Sequence, residues 1–425
     1  MHERMTETDD SLDPPVVLVG SHKDKVEPVE GEEIEDACKK CLDTCCEDVS
    51  DDACGHFRGQ YIISNIEDDN CIFQRIRQDI LNLARTMRTW NKDYPLKFIQ
   101  LEKRLHEKKK ELHIPIISFQ DIKEISSETT NPLNEEELIL YLKFHQEIRA
   151  LVYFEDLPDY IILDTQWLSD AFKCIVTPKK FQLNVRRHKI KTLWDDFSER
   201  GILHNEVLKD IFKKQQNSFY EHKNYILSVM EKFDIISPNI SDKDVADDKP
   251  RYYVPCMIKS EPEYDIYNMF NATEDNCQTS TWLCFEFRFQ PPHLMNHLIA
   301  SLSRKYKVAL VVGTKQENKQ TIGKKQATRV NALFKATAVF ELDKTSKLSK
   351  LLIMKRLNFI QIQILEFGKG TMIKRGMYKH IADFVTDEIN KIISTRFKMT
   401  NVSFEKNWEC GLTKPESVTG SNNFK

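Results

Sequence analysis

Between residues 135 and 178 the chain reads EEELILYLKFHQEIRALVYFEDLPDYIILDTQWLSDAFKCIVTP, and apolar and polar positions change period twice within it. Leu138, Leu140, Tyr141 and Phe144 recur at helical spacing, 151–154 and 161–163 are β-branched and aromatic, and Trp167, Leu168, Phe172 and Ile175 return to helical spacing. This predicts helix, two short strands, helix. Leu157-Pro158-Asp159 supplies the turn between the strands, because proline fixes φ beside good turn formers, and Asp164 or Thr165 can accept from the free amides opening the second helix. A compact winged-helix-like unit is expected.

Upstream, Val16-Val17-Leu18-Val19-Gly20 and Tyr61-Ile62-Ile63 read as short buried strands. Residues 34–49 read as an amphipathic helix, and Ile72, Ile76, Ile80, Leu83 and Met87 share one face of another. Trp90, Pro95, Phe98, Leu101 and Leu105 lead into a helix whose solvated face is EKRLHEKKKE, 102–111. Downstream, Val207, Leu208, Ile211 and Phe212 make one helix face, Tyr225, Ile226, Val229, Met230 and Phe233 another, and 251–256 a strand. After residue 261 the pattern alternates. Leu283, Phe285, Phe287 and Phe289 share one strand face, Pro291-Pro292 precedes a helix over 293–303, and strands are expected at 307–312, 329–342 and 359–367 before a helix over 378–393. Polar loops are expected at 126–134, 239–248, 313–328 and 366–375, and a disordered tail at 406–425.

At 425 residues with 40% hydrophobic content the chain can bury two or three cores, so several domains are expected. The net charge of −3 argues against a polyanion as main partner. One basic run, 179–191 with Arg186 and Arg187, could serve as the wing of a nucleic-acid binder, but the adjacent 166–175 helix offers only Lys173 for a groove, so no nucleic-acid role is expected. Residues 1–13 are polar and acidic and are expected to be disordered; no stretch approaches a membrane span, and a cytoplasmic protein is expected. The eleven cysteines are then reduced thiols. Cys38 and Cys41 have C-x-x-C spacing, and Cys54 with His56 could complete a zinc site. In a helix, Cys38, Cys41 and Cys45 instead fall on one face as small hydrophobes, the commoner role.

The strand ending at Gly20 runs into Ser21-His22-Lys23-Asp24, and the strand ending at Ile63 runs into Ser64-Asn65. Together with EEELILYLKF, the two apolar strands and ILDTQWLSDAFKCIVT, these resemble the Roco family, in which a Ras-like Roc domain precedes a COR domain. Members commonly read guanine with a Thr-His-x-Asp motif, from which Ser21 departs. The resemblance implies that Asp24 reads the base, with Ser21, His22, Ser64 and Asn65 at its edge. GTP or GDP with Mg²⁺ serves the full-length family. This sequence has no G-x-x-x-x-G-K-[ST] loop to cradle phosphates, so it should not bind or hydrolyse GTP usefully, and no catalytic residue or cofactor is assigned to it.

The implied architecture is multidomain α/β and α+β. Residues 14–90 would be the end of a Ras-like, Rossmann-type sheet, 91–112 a connector helix, 113–260 a winged-helix-like first COR half, and 261–405 an α+β second half. The resemblance extends to malignant fibrous histiocytoma-amplified sequence proteins and implies a dimerisation and regulatory module: a homodimer through COR that engages other signalling proteins. The alternative is a fragment of an active Roco GTPase or Roco serine/threonine kinase whose catalytic segments lie outside this sequence.

Overall fold

The computed structural model describes residues 14–28, 33–47, 51–88, 90, 93–176, 188–215, 217–239, 252–262, 265–313, 328–343, 346–368, 378–399 and 402–409. It divides into two compact units, Met1–Gln100 and Leu101–Lys425. The fold is mixed α/β with several separate sheets.

In the first unit, strand Val16–Gly20 pairs in parallel with Phe57–Ile62, placing Gly20 opposite Ile62. Parallel strands need a crossover, and helix Ile34–Glu47 lies in the intervening chain. Its Leu42 side chain packs 3.6 Å from the point a Cβ on Gly20 would occupy. Helix Asn70–Thr86 is tied to the second strand by a hydrogen bond from the Tyr61 hydroxyl to Asp79 Oδ2, 2.6 Å. Of the apolar face expected on that helix only Ile76 is buried, while Ile80 is 48% exposed. The two described strands are too narrow a sheet to cover it. The cysteine face of helix Ile34–Glu47 also divides, Cys38 being buried and Cys41 exposed.

In the second unit, the expected helix–strand–strand–helix stretch forms helix Glu135–Glu147, strand Ile161–Ile162 and helix Thr165–Ile175. Asn134 and Glu137 close a reciprocal capping box on the first helix, and Asp164 caps the second by accepting from the Gln166 amide at 3.0 Å. The first expected strand shrinks to a single bridge, Val152 to Ile162, because Ile161–Ile162 pairs instead with Ile116–Ile117. Trp167 is half-buried, meets Phe219 edge-on with centroids 5.2 Å apart, and borders two apolar clusters. A three-stranded antiparallel sheet follows, with Tyr252–Ile258 between Gly201–Leu203 and Ser237–Pro238. Of the basic run at 179–191, residues 179–187 lie outside the described residues and 188–191 open helix His188–Arg200; nearly all of the 239–248 loop also lies outside them.

Beyond residue 265 an eight-stranded sheet carries the larger core. Its main path runs Lys307–Val308, Thr337–Glu341, Ser349–Lys355, Phe359–Phe367, Trp282–Phe287, Phe404–Glu409. Both faces of the central strands are covered, so they read as continuous apolar runs. Phe285, Phe340, Leu351 and Ile362 face helices Leu294–Lys305 and Lys379–Ile392, while Trp282, Val339, Leu352 and Leu365 face the short helix Ile266–Met269 and the hairpin of Leu310–Gly313 with Thr328–Asn331. Ile202, Tyr253 and Ile258 of the three-stranded sheet join the helix-side core, so one apolar cluster runs through both halves of this unit.

Four expectations are corrected. The strand expected over 329–342 is three pieces, Thr328–Asn331, Leu333–Phe334 and Thr337–Glu341, because the chain turns at Lys335. Strand Ser349–Lys355 was not anticipated, and Glu366 and Phe367 end a strand instead of opening a loop. The tail expected from residue 406 instead begins as part of strand Phe404–Glu409, anchored by Phe404 packing on Phe285 and Phe287 and by Asn407 donating to Glu286 at 2.8 Å. Residues 410–425 lie outside the described residues.

Candidate functional site

Two loops leave the same end of the parallel strand pair. The Ile63 amide donates to Gly20 O at 2.8 Å and the Lys23 amide to Ile63 O at 3.1 Å, so the backbone holds the loops side by side. His22 turns the chain through a left-handed conformation, φ 67°, into the one-turn helix Lys23–Lys25 that carries Asp24. Across a sequence gap of forty residues, the Ser64 hydroxyl donates to Asp24 Oδ1 at 2.8 Å.

Ser64 is buried, and its hydrogen-bonding capacity is filled. Besides donating to Asp24, its oxygen accepts from the amides of Ile66 at 3.3 Å and Glu67 at 3.1 Å. Its own amide donates to Asp68 Oδ2 at 2.8 Å, and Asp68 faces the Lys23 ammonium at 3.8 Å. The serine hydroxyl is therefore fixed in direction, and Asp24 receives it in fixed geometry. That hydrogen bond is the largest influence holding the Asp24 carboxyl below its usual range, with smaller contributions from His22 and Lys25. Among the described residues Asp24 Oδ2 makes no side-chain hydrogen bond. The arrangement is a preorganised carboxylate with acceptor capacity left at its second oxygen.

The sequence named five residues for this edge. Asp24 and Ser64 are in direct contact, while Ser21, His22 and Asn65 are exposed beside them in the same two loops. Sequence reasoning missed Asp68 and Lys23, which brace the serine. An aspartate four residues past a strand-end serine was the available signal, since such a side chain can fold back onto free amides. The four zinc candidates do not form a comparable cluster: Cys38 is buried, Cys41 and Cys54 are exposed, and a His56 ring nitrogen lies 2.9 Å from Pro14 O. Among the described residues no group of three or more His, Cys, Asp or Glu is placed to hold a metal ion, and none of their helices is long and apolar enough to cross a membrane.

A small parallel-sheet unit with this polar edge, followed by a larger helical and antiparallel-sheet body, defines a multidomain α/β protein. Residues 95–258 match the family described as C-terminal of Roc, COR-A domain. Two curated proteins of Dictyostelium discoideum are similar to it. Probable serine/threonine-protein kinase pats1 is 24% identical over 189 residues, covering 44% of this chain and 5% of that protein. Cyclic GMP-binding protein C is 24% identical over 313 residues, covering 69% of this chain and 11% of that protein. The chain thus spans a small part of the length of the curated relatives it matches. Among solved structures, Methanosarcina barkeri Roco2 RocCORdC bound to GDP aligns at a TM-score of 0.33 and 15% identity, covering 57% of this chain and 64% of that one.

Proposed function

We propose that this chain is the regulatory and dimerisation segment of a Roco-type signalling protein of the cytoplasm, with Asp24 and its neighbours forming the guanine edge of a nucleotide site. The COR-A match at 95–258 is the observation that carries the regulatory reading. Its first half would act as the winged-helix-like part and its second, sheet-rich half as the homodimer surface. In this reading the chain responds to nucleotide state, its own sequence holding no phosphate-cradling loop. Sedimentation velocity of the full chain at micromolar concentration tests the dimer. A species of twice the 49.9 kDa chain mass is expected, and a 49.9 kDa species at every concentration would overturn it.

The Asp24–Ser64 contact favours a second reading, in which the same residues belong to a complete guanine site once upstream sequence is present. An ionised carboxylate accepts at both oxygens, matching the N1–H and exocyclic amine of guanine. Residues 16–65 would then be the closing strands of a Ras-like sheet, and GTP or GDP with Mg²⁺ would bind across sequence lying outside this chain. Mapping the 5′ end of the transcript tests this. An in-frame G-x-x-x-x-G-K-[ST] upstream supports it, and a start codon at Met1 with none upstream contradicts it.

A further inference from the structure

Asp234 joins the two halves of the second unit through a single buried carboxylate. It stands just past helix Lys223–Lys232, in the left-handed conformation (φ 56°) usual for glycine or asparagine at a helix end, and its side chain is 2% exposed. All three of its side-chain partners come from the other half. Arg304 Nη2 donates to Oδ1 at 2.5 Å, and Arg396 Nε donates to Oδ2 at 2.6 Å. His297 Nδ1 lies 3.3 Å from Oδ2. His297 and Arg304 sit two turns apart on helix Leu294–Lys305, and Arg396 lies in the π-turn Ile393–Phe397.

Two guanidiniums, each about one-third exposed, share one buried carboxylate, so positive charge is in excess there, and Arg304 Nη1 is buried without a hydrogen-bond partner. Neutralising Asp234 would leave Arg304 and Arg396 facing each other with nothing between them. A further ion pair joining the halves, Lys398 with Glu147 at 3.0 Å, has side chains 65% and 71% exposed and is screened by water. The halves also meet where the Lys335 amide donates to Ser260 O at 3.0 Å, beside the chain's own crossing, and in an apolar core that joins Ile202, Tyr253 and Ile258 to Leu294, Met295 and Leu298. Apolar packing is non-directional and tolerates sliding, whereas two guanidinium bonds to one carboxylate fix an orientation.

We infer that Asp234 is a charge latch that holds the two halves of the COR region in one orientation, and that its loss lets them move as separate bodies. This stands on the contacts of the second unit and is independent of the guanine reading. Asparagine tolerates the left-handed backbone as aspartate does, so Asp234→Asn keeps the shape while removing the charge and replacing one of the two acceptor oxygens with an amide donor.

Hydrogen exchange of the full chain tests it, comparing peptides over 231–238, 252–258, 294–305 and 393–399 with reference peptides over 116–127 and 359–367. In Asp234→Asn the first set is expected to exchange at least tenfold faster while the references keep wild-type rates. Unchanged exchange, or equal acceleration in both sets, would overturn the latch. Should that variant fail to fold, Arg396→Gln, which keeps the Asp234–Arg304 pair, is expected to give the same localised pattern at smaller amplitude. A uniform or absent response there overturns the latch equally.

Discussion

Ser64 donates to Asp24 across the ends of two parallel strands, 2.8 Å apart, and also accepts from two amides of its own loop. Removing the hydroxyl should therefore alter the carboxylate and the loop together. In Ser64→Ala the Asp24 carboxyl is expected to titrate at a higher pH than in wild type, because the largest influence lowering it is gone. The loop should also lose about 1 kcal/mol, because the amides of the exposed residues Ile66 and Glu67 turn to water instead. Carbon-detected NMR titration of Asp24, with urea unfolding alongside, reads both.

The pairing of these two loops was legible in the sequence because each is local: an apolar strand, a turn and one acid fall within nine residues, although Asp24 and Ser64 could equally have been ordinary turn residues after strands. The opening helices of the second unit were legible for the same reason, each carrying its cap beside its apolar face. What was not legible depends on distant partners. Ser349–Lys355 is a strand because Thr337–Glu341 and Phe359–Phe367 flank it, and Phe404–Glu409 is one because Trp282–Phe287 offers an edge. Asp234 gave no periodic signal; its partners lie 63, 70 and 162 residues away.

Gly201 opens the three-stranded sheet at φ +66°, and a Cβ there would stand 2.6 Å from Val254 O and 2.9 Å from Ile258 Cγ1. Strain and clash act together at one position. Gly201→Ala is expected to destabilise the second unit by about 2 kcal/mol or more, seen as a lower urea midpoint with unchanged slope.

Acid should act on Asp234. Burial pushes its carboxyl up, but the His297 hydrogen bond and the Arg304 and Arg396 charges outweigh this and hold it below the usual 3.8. With the folded value depressed, the stabilisation is fully present above about pH 4 and is lost as pH falls through the folded value. Wild type should thus lose stability below pH 4 more steeply than Asp234→Asn, which should itself be destabilised at neutral pH by about 1–3 kcal/mol, since both guanidiniums left behind still reach water. Parallel acid titrations followed by circular dichroism would compare them.

The base-reading role of Asp24 is tested most directly by titrating guanosine and adenosine into isotopically labelled chain while following its backbone amides. Two hydrogen bonds to a charged group contribute about 3–6 kcal/mol, which corresponds to roughly millimolar affinity without phosphate contacts. Guanosine is expected to shift the amides of residues 21–25 and 64–67, adenosine to leave them in place, and Asp24→Asn to abolish the response. Equal shifts with both nucleosides, or none with guanosine at saturating concentration, would contradict the assignment.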